Sequence, residues 1–303
     1  MGWIKSGERT LTAEDFNDRA RRAATVIEGF GVAKGDGVAL YLRNDLAFFE
    51  ASFGVGMLGG YPVPVNWHYT PDEAGYLLRD SGVKLLVIHA DLYGPIREAI
   101  PDGLAVAIVE TPPEIRAAYG LAETPPPPGL PIWRELVDAA APLAREPEPA
   151  PSSIIYTSGT TGRPKGVKRA AFTPEQAQAA NTMLGWSYGY TEALEGRRDP
   201  ATIVTAVIGP VYHSAPNAHS GFSIRLGANV VVTPRFDAEE LLALIERERI
   251  THLNMVPIMF NRLLRLPEAV KRRYDLSSLE YVAHAAAPCP PPVKRAMIEW
   301  WGP

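Results

Sequence analysis

The sequence predicts an α/β protein of two lobes, each a doubly wound, mainly parallel sheet covered by helices. Three observations predict it. Well-marked helix starts recur along the chain. Short apolar runs alternate with them, several apolar on both faces, as a sheet covered on both sides requires. One proline-crowded segment, residues 111–151, breaks the alternation, which then resumes at once.

The helix starts come first. "LTAED" offers Thr12 as N-cap with Asp15 three residues on. "TPDE" offers Thr70, Pro71 and Glu73, "TPEQ" offers Thr173, Pro174 and Gln176, and "DAEE" offers Asp237 and Glu240. A side-chain oxygen at the cap accepts from an otherwise unpaired backbone N–H, and proline has no N–H to lose at the first helical position. Gly31, Gly60 and Gly82 stand where left-handed helix ends are expected. The expected strands are the runs 38–42, 61–65, 84–88, 105–109, 152–156, 202–208, 228–232, 251–256 and 279–284. "TPPPPGLP" and "REPEPAP" stay extended and semi-rigid, so residues 111–151 read as a surface crossover. The first lobe is expected over 1–150 and the second over 151–303.

Composition narrows the function. The 303 residues are 46% hydrophobic and 21% charged, with a formal net charge of −4, an ordinary globular mix with nothing that points to nucleic acid. Cys289 is the single cysteine, so no intrachain disulfide forms, which fits a cytoplasmic setting. Six histidines and one cysteine show no zinc-like spacing, so no metal ligands are expected from the protein. The opening "MGWIKSGERT" lacks the apolar core of a secretory signal. The apolar stretch 51–65 is too interrupted to span a bilayer.

The chemistry concentrates in "YTSGTTGRPKG", residues 156–166. A Gly/Ser/Thr stretch is often only a flexible connector. Here an apolar run feeds directly into it, Pro164 stiffens it, and Arg163, Lys165, Lys168 and Arg169 add charge. Glycines let backbone N–H groups converge on an anion, hydroxyls add donors, and lysine adds a full charge. The combination suits a polyphosphate. It is not the ordinary P-loop, because Pro164 precedes Lys165 and Gly166 follows it, leaving no hydroxyl there for Mg2+.

"YTSGTTGRPKGV" instead resembles the phosphate loop of the adenylate-forming superfamily, which contains acyl-CoA synthetases, luciferases and peptide-synthetase adenylation domains. "LTAEDF", the segment 61–87, "GPVYHSAP" (209–216), the segment 236–264 and "LEYVAHAAAPCP" (279–290) are similar to further blocks of that family, in its order. The resemblance covers nearly the whole chain and is closest to the acyl-CoA synthetases.

It implies a reaction in two halves. A carboxylate attacks the α-phosphorus of MgATP to give acyl-AMP and pyrophosphate, and a thiol, usually that of coenzyme A, then displaces AMP. Thr157, Ser158, Gly159, Thr160, Thr161 and Gly162 would wrap the β- and γ-phosphates, and Lys165 would add charge as pyrophosphate departs. Arg163 stays open between a ligand and a solvated side chain. His213, beside Ser214, would flank the acyl pocket as a positioning and gating group. Ala286, Ala287 and Pro288 match the segment that lies against adenine and the acyl group. Ala285 and His284 depart from the family, which often has glycine and a small polar residue there. His284 is therefore open between a specificity residue and a buried, hydrogen-bonded one. Cys289 reads as a packed side chain, and the aromatics of "WSYGY" (186–190) read as core.

The implied partners are a hydrophobic organic acid, ATP with Mg2+, and coenzyme A, with a homodimer plausible from the family. After "MIEWWGP" the family continues with a "YG-x-TE"-like motif, a ribose-binding aspartate, a hinge and a small domain carrying a catalytic lysine. None lies within residues 1–303, so the expectation is an N-terminal large domain that does not adenylate at a useful rate alone. The other readings are a relative with a different acceptor, or a non-catalytic nucleotide-binding module.

Overall fold

The computed structural model describes residues 2–157, 164–168 and 172–302. It opens with a hairpin, β1 (Trp3–Ser6) and β2 (Arg9–Thr12), and helix α1 (Ala13–Gly29). Then follow β3 (Gly37–Tyr41), α2 (Leu46–Met57), β4 (Tyr61–Pro64), α3 (Pro71–Ser81), β5 (Leu85–His89), α4 (Ala90–Ile96) and β6 (Ala105–Val109). Helices α5 (Pro113–Tyr119) and α6 (Trp133–Ala139) precede a short ribbon, β7 (Tyr156–Thr157) and β8 (Lys165–Gly166). Next come α7 (Pro174–Tyr188), α8 (Thr191–Leu194), β9 (Val204–Val207), α9 (Ser214–Leu226), β10 (Asn229–Val232) and α10 (Ala238–Glu248). The last elements are β11 (His252–Met255), α11 (Pro257–Leu264), α12 (Glu268–Lys271), β12 (Tyr281–His284) and α13 (Pro291–Trp301).

The chain forms two compact units, Glu14–Gln176 and Met1–Ala13 with Ala177–Pro303. In the first, four parallel strands lie in the order β4-β3-β5-β6. Every residue of β3 and β5 is buried. Ala39, Tyr41, Leu86 and Ile88 share one cluster with Ala74, Leu77 and Leu78 of α3, while the alternate residues Val38, Leu40, Leu85 and Val87 are equally buried on the other face. Helix α2 packs on β3 and β4, and at Gly54 a Cβ would come within 3.0 Å of Ala23 Cβ, so glycine permits the close approach of α1. Strand β4 carries Pro62 and Pro64 and lies at the sheet edge, where missing N–H groups cost no ladder bond.

The second unit holds a six-stranded sheet in the order β12-β11-β9-β10-β1-β2, parallel except for the β1–β2 hairpin. Gly7 (φ 56°) stands first in the two-residue hairpin loop and supplies its positive φ. Beneath this sheet, Leu241, Leu242 and Ile245 of α10 and Met259, Phe260 and Leu263 of α11 form a core with Ala206, Val231, Leu253 and Met255.

Beside the lobes expected over 1–150 and 151–303, the compact units are bounded at 13/14 and 176/177, and residues 1–13 join the second because Ile4, Lys5 and Ser6 pair with Val230, Val231 and Val232. Several expectations are corrected. The hairpin itself was not expected; four-residue strands of mixed polarity are too short to show a period. The run 152–156 is a strand only at its end, Tyr156–Thr157, although the Ile154 N–H still donates to Pro62 O at 3.0 Å. Left-handed geometry falls at Gly59 (φ 73°) rather than Gly60. The crossover 111–151 is anchored in the core: Trp133 is fully buried and donates from Nε1 to Glu50 Oε2 at 3.0 Å. The capping oxygens of Thr70, Thr173 and Asp237 all accept from the backbone N–H three residues on, as read. Among the described residues no helix is long and apolar enough to cross a membrane.

Candidate active site

The phosphate-loop sequence is framed by an antiparallel stem. Tyr156 pairs with Gly166 and Thr157 with Lys165. Ser158, Gly159, Thr160, Thr161, Gly162 and Arg163 lie outside the described residues, as does the Thr157 side chain. Pro164 is buried and Lys165 is exposed, so the stem delivers the ammonium to solvent directly opposite Thr157.

The stem is tied to helix α3 and to β4, the edge of the four-stranded sheet. The Tyr156 hydroxyl donates to Asp80 Oδ2 at 2.7 Å. Burial, the Asp80 hydrogen bond and the nearby carboxylate charge push the Tyr156 hydroxyl pKa well above its ordinary value, so the phenol keeps its proton. The Tyr156 ring covers Gly166, where a Cβ would stand 2.6 Å from it. Lys168, read from sequence as one more cation near an anion site, is instead committed to the protein. Its Nζ donates to Gly35 O at 3.1 Å and to the Tyr61 hydroxyl at 3.4 Å, and lies 4.4 Å from the Tyr61 ring centroid. Asp80 and Tyr61 were missed because nothing in sequence links positions so far apart.

The remaining expected site residues belong to the second unit. Its parallel strands present their carboxyl ends along one edge, and chain order reverses between β9 and β11, because β10 follows β9 on one side and β11 lies on the other. Ligands of open α/β sheets sit outside such a reversal. The loop after β9 reaches His213 there, and the segment after β12 carries Ala285, Ala286, Ala287 and Pro288.

His213 is exposed, adopts extended backbone as the cap residue of α9, and uses no side-chain atom as a cap. Partial desolvation lowers its pKa below the ordinary imidazole value, so the ring is neutral at pH 7. Ser214 opens α9 and is exposed. His284 is half-buried at the end of β12, paired in register with Met255, its ring edge-on to Phe260 at 5.8 Å. Met259 of α11 has its methyl near Gly209, in the loop after β9, and its side chain in the core that Phe260 shares. The Ala285 N–H donates to Met255 O at 3.1 Å and extends the β11–β12 pairing by one residue. Ala286 then turns with φ 69°, left-handed for a residue with a Cβ, and Ala285 to Pro288 are all exposed. Small side chains thus leave this backbone open to a flat ligand.

Other candidates resolve as packing. Cys289 lies against the apolar core of α10 and α11. Within "WSYGY", Tyr188 and Tyr190 are buried, whereas Trp186 is 73% exposed. His219, six residues after His213, is buried against the Tyr190 hydroxyl at 3.1 Å. Burial, with a smaller effect from His252, lowers its pKa to about 3. An open cleft of about 570 Å³, floored by Leu78, Val83 and Leu104, contains none of the expected site residues. Among the described residues no three His, Cys, Asp or Glu side chains gather as a metal site.

Parallel sheets flanked by helices, a hairpin stem closed by lysine, and an open small-residue loop at a strand-order reversal together have the architecture of an adenylate-forming enzyme. The chain belongs to the AMP-binding enzyme family, whose pattern matches residues 3–303. It is 29% identical, over 96% of its length, to a fatty acid–[acyl-carrier-protein] ligase, ScoC, of Streptomyces coeruleorubidus, and covers 50% of that protein. It is 30% identical, over 92% of its length, to 4-coumarate–CoA ligase 2 of Oryza sativa subsp. japonica, covering 48% of it. Among solved structures, the N-terminal domain of FACL13 from Mycobacterium tuberculosis superposes with a TM-score of 0.72 at 27% identity, covering 98% of this chain and 68% of that one. The anthranilate CoA ligase AuaEII gives a TM-score of 0.80 at 22% identity, over 100% of this chain and 55% of that one, a likeness of fold. The chain spans about half the length of the curated relatives it matches.

Proposed function

We propose that this chain is the nucleotide- and acyl-binding part of an AMP-forming acid–thiol ligase that activates a hydrophobic organic acid as acyl-AMP and passes it to coenzyme A. The observation that carries the reading is the paired stem, with Lys165 opposite Thr157 at the mouth of the phosphate-loop sequence. Carboxylate oxygen is a weak nucleophile and ATP repels it, so the first half depends on charge neutralisation and positioning. Thr157, Ser158, Gly159, Thr160, Thr161 and Gly162 supply amides and hydroxyls to the β- and γ-phosphates, and Lys165 offsets charge on departing pyrophosphate. His213, neutral at pH 7, orients the acid rather than carrying a proton. Ala286, Ala287 and Pro288 lie against adenine, and Ser214, His284 and Ala285 shape the acyl end.

Mg2+ would enter on the ATP phosphates, held largely by substrate oxygens and water. It would supply charge neutralisation there.

Coenzyme A as acceptor is supported by the relatives that are CoA ligases. A carrier-protein thiol is the second reading, favoured by the likeness to the acyl-carrier-protein ligase. The test is AMP release by the protein at its full natural length, with ATP and a panel of fatty and aromatic acids. AMP release that requires coenzyme A is expected. Release that requires a carrier protein selects the second reading, and no acid-dependent release overturns both.

A further inference from the structure

We infer that Asp80 is a positioning residue for the polyphosphate, acting through Tyr156, and that Tyr61 and Lys168 hold the other side of the same stem. The inference rests on the nucleotide reading above and deepens it.

The stem is short. β7 and β8 are two residues each, and a two-stranded ribbon of that size is not stable by itself in water. Its geometry must therefore come from what it is tied to. On one strand the tie is Tyr156. Its ring lies over Gly166 of the facing strand, and its hydroxyl ends on Asp80 at the close of α3. Asp80 also accepts from the Tyr76 hydroxyl, through Oδ1 at 3.3 Å, so one carboxylate joins the helix to the stem. Beyond the other strand the tie is Lys168, two residues after Gly166, held by Gly35 O and the Tyr61 hydroxyl and ring. Tyr61 begins the edge strand β4, and Ile154 N–H donates to Pro62 O of the same strand. The stem is thus tied on one side to helix α3 and on the other to edge strand β4 of the parallel sheet.

Thr157 follows the Tyr156 tie by one residue, and Lys165 precedes the Lys168 tie by three. Loss of a tie lets the Tyr156 ring rotate off Gly166 and lets Thr157 and Lys165 separate. The effect falls on the groups that meet the β- and γ-phosphates and not on Ala286, Ala287 and Pro288. Asp80 is exposed, so its replacement leaves the core of α3 in place.

The experiment measures equilibrium binding of ATP, pyrophosphate and AMP to the protein at its full natural length, alongside thermal melting. Asp80→Ala is expected to weaken ATP and pyrophosphate about 3- to 10-fold, the range for one lost hydrogen bond, and to leave AMP unchanged. Tyr156→Phe retains a ring of the same size but removes the hydroxyl that ties it to Asp80, and is expected to match that loss, and the double variant to add little to either. Asp80→Asn retains an acceptor for the phenol and is expected to restore affinity to within about 2-fold of the wild type. Equal ATP affinity in wild type and Asp80→Ala, or equal weakening of ATP and AMP, would overturn the inference while leaving the nucleotide reading intact. A wild-type protein that binds neither ATP nor AMP would overturn the nucleotide reading itself.

Discussion

Ala286 shows how much a single residue can carry. Its φ of 69° places a Cβ in the left-handed region, at a strain of about 1–2 kcal/mol. Glycine relieves that strain, and a β-branched side chain adds to it. Ala286→Gly is therefore expected to leave stability unchanged or raise it by up to about 1 kcal/mol, and Ala286→Val to lower it by about 1–2 kcal/mol, both read by urea unfolding. The sequence marked this position through its family resemblance and could not show its backbone angle, which follows directly on the Ala285–Met255 hydrogen bond that ends the β11–β12 pairing. The same limit applies to Lys168. Its charge was legible beside the loop, but its attachment to Gly35 and Tyr61 depends on a fold that brings residues 133 and 107 positions apart together.

Elements were most legible where local chemistry decides them. The capping box at Thr70 and Glu73 is complete, with the Glu73 N–H donating to Thr70 Oγ1 and the Thr70 N–H to Glu73 Oε2. Thr70→Ala is expected to cost about 1 kcal/mol in unfolding free energy, and Thr70→Ser to restore most of it. Elements decided by tertiary packing were not legible. The residues of α6 follow a proline run and suggested an exposed crossover, yet Trp133 fills the core and its indole N–H meets the buried Glu50 carboxylate. Trp133→Ala removes both and is expected to cost about 3–5 kcal/mol, seen as a lowered melting temperature. Likewise β1 and β2 are strands because β10 offers a parallel edge, not because their own residues alternate.

For the molecule as a whole, acid sensitivity follows from His219. Its folded pKa, about 3, lies below the ordinary imidazole value because the ring is buried beside Tyr188, Tyr190 and His252. The unfolded chain therefore binds a proton at His219 before the folded one does. This contribution is complete above pH ~6.5 and is lost as pH falls toward 3, at up to about 1.4 kcal/mol per pH unit. His219→Gln keeps a polar partner for Tyr190 but cannot titrate. Its unfolding free energy is expected to fall less steeply than the wild type's between pH ~6.5 and ~4, by denaturant titration. The alternation of helices and apolar runs made the two parallel sheets legible at this scale. The division of the chain between them was not, since it turns on one N-terminal hairpin joining a sheet formed two hundred residues later.

The central claim is that the stem from Tyr156 to Gly166 presents Lys165 to the charge of a nucleotide's phosphates. Equilibrium binding of MgATP to wild type and to Lys165→Ala, at matched ionic strength, tests it most directly. Wild-type binding with a loss of roughly 10- to 100-fold in the variant is predicted, the range for a charge-assisted hydrogen bond. Equal affinity in the two proteins, or no MgATP binding by either, would contradict it.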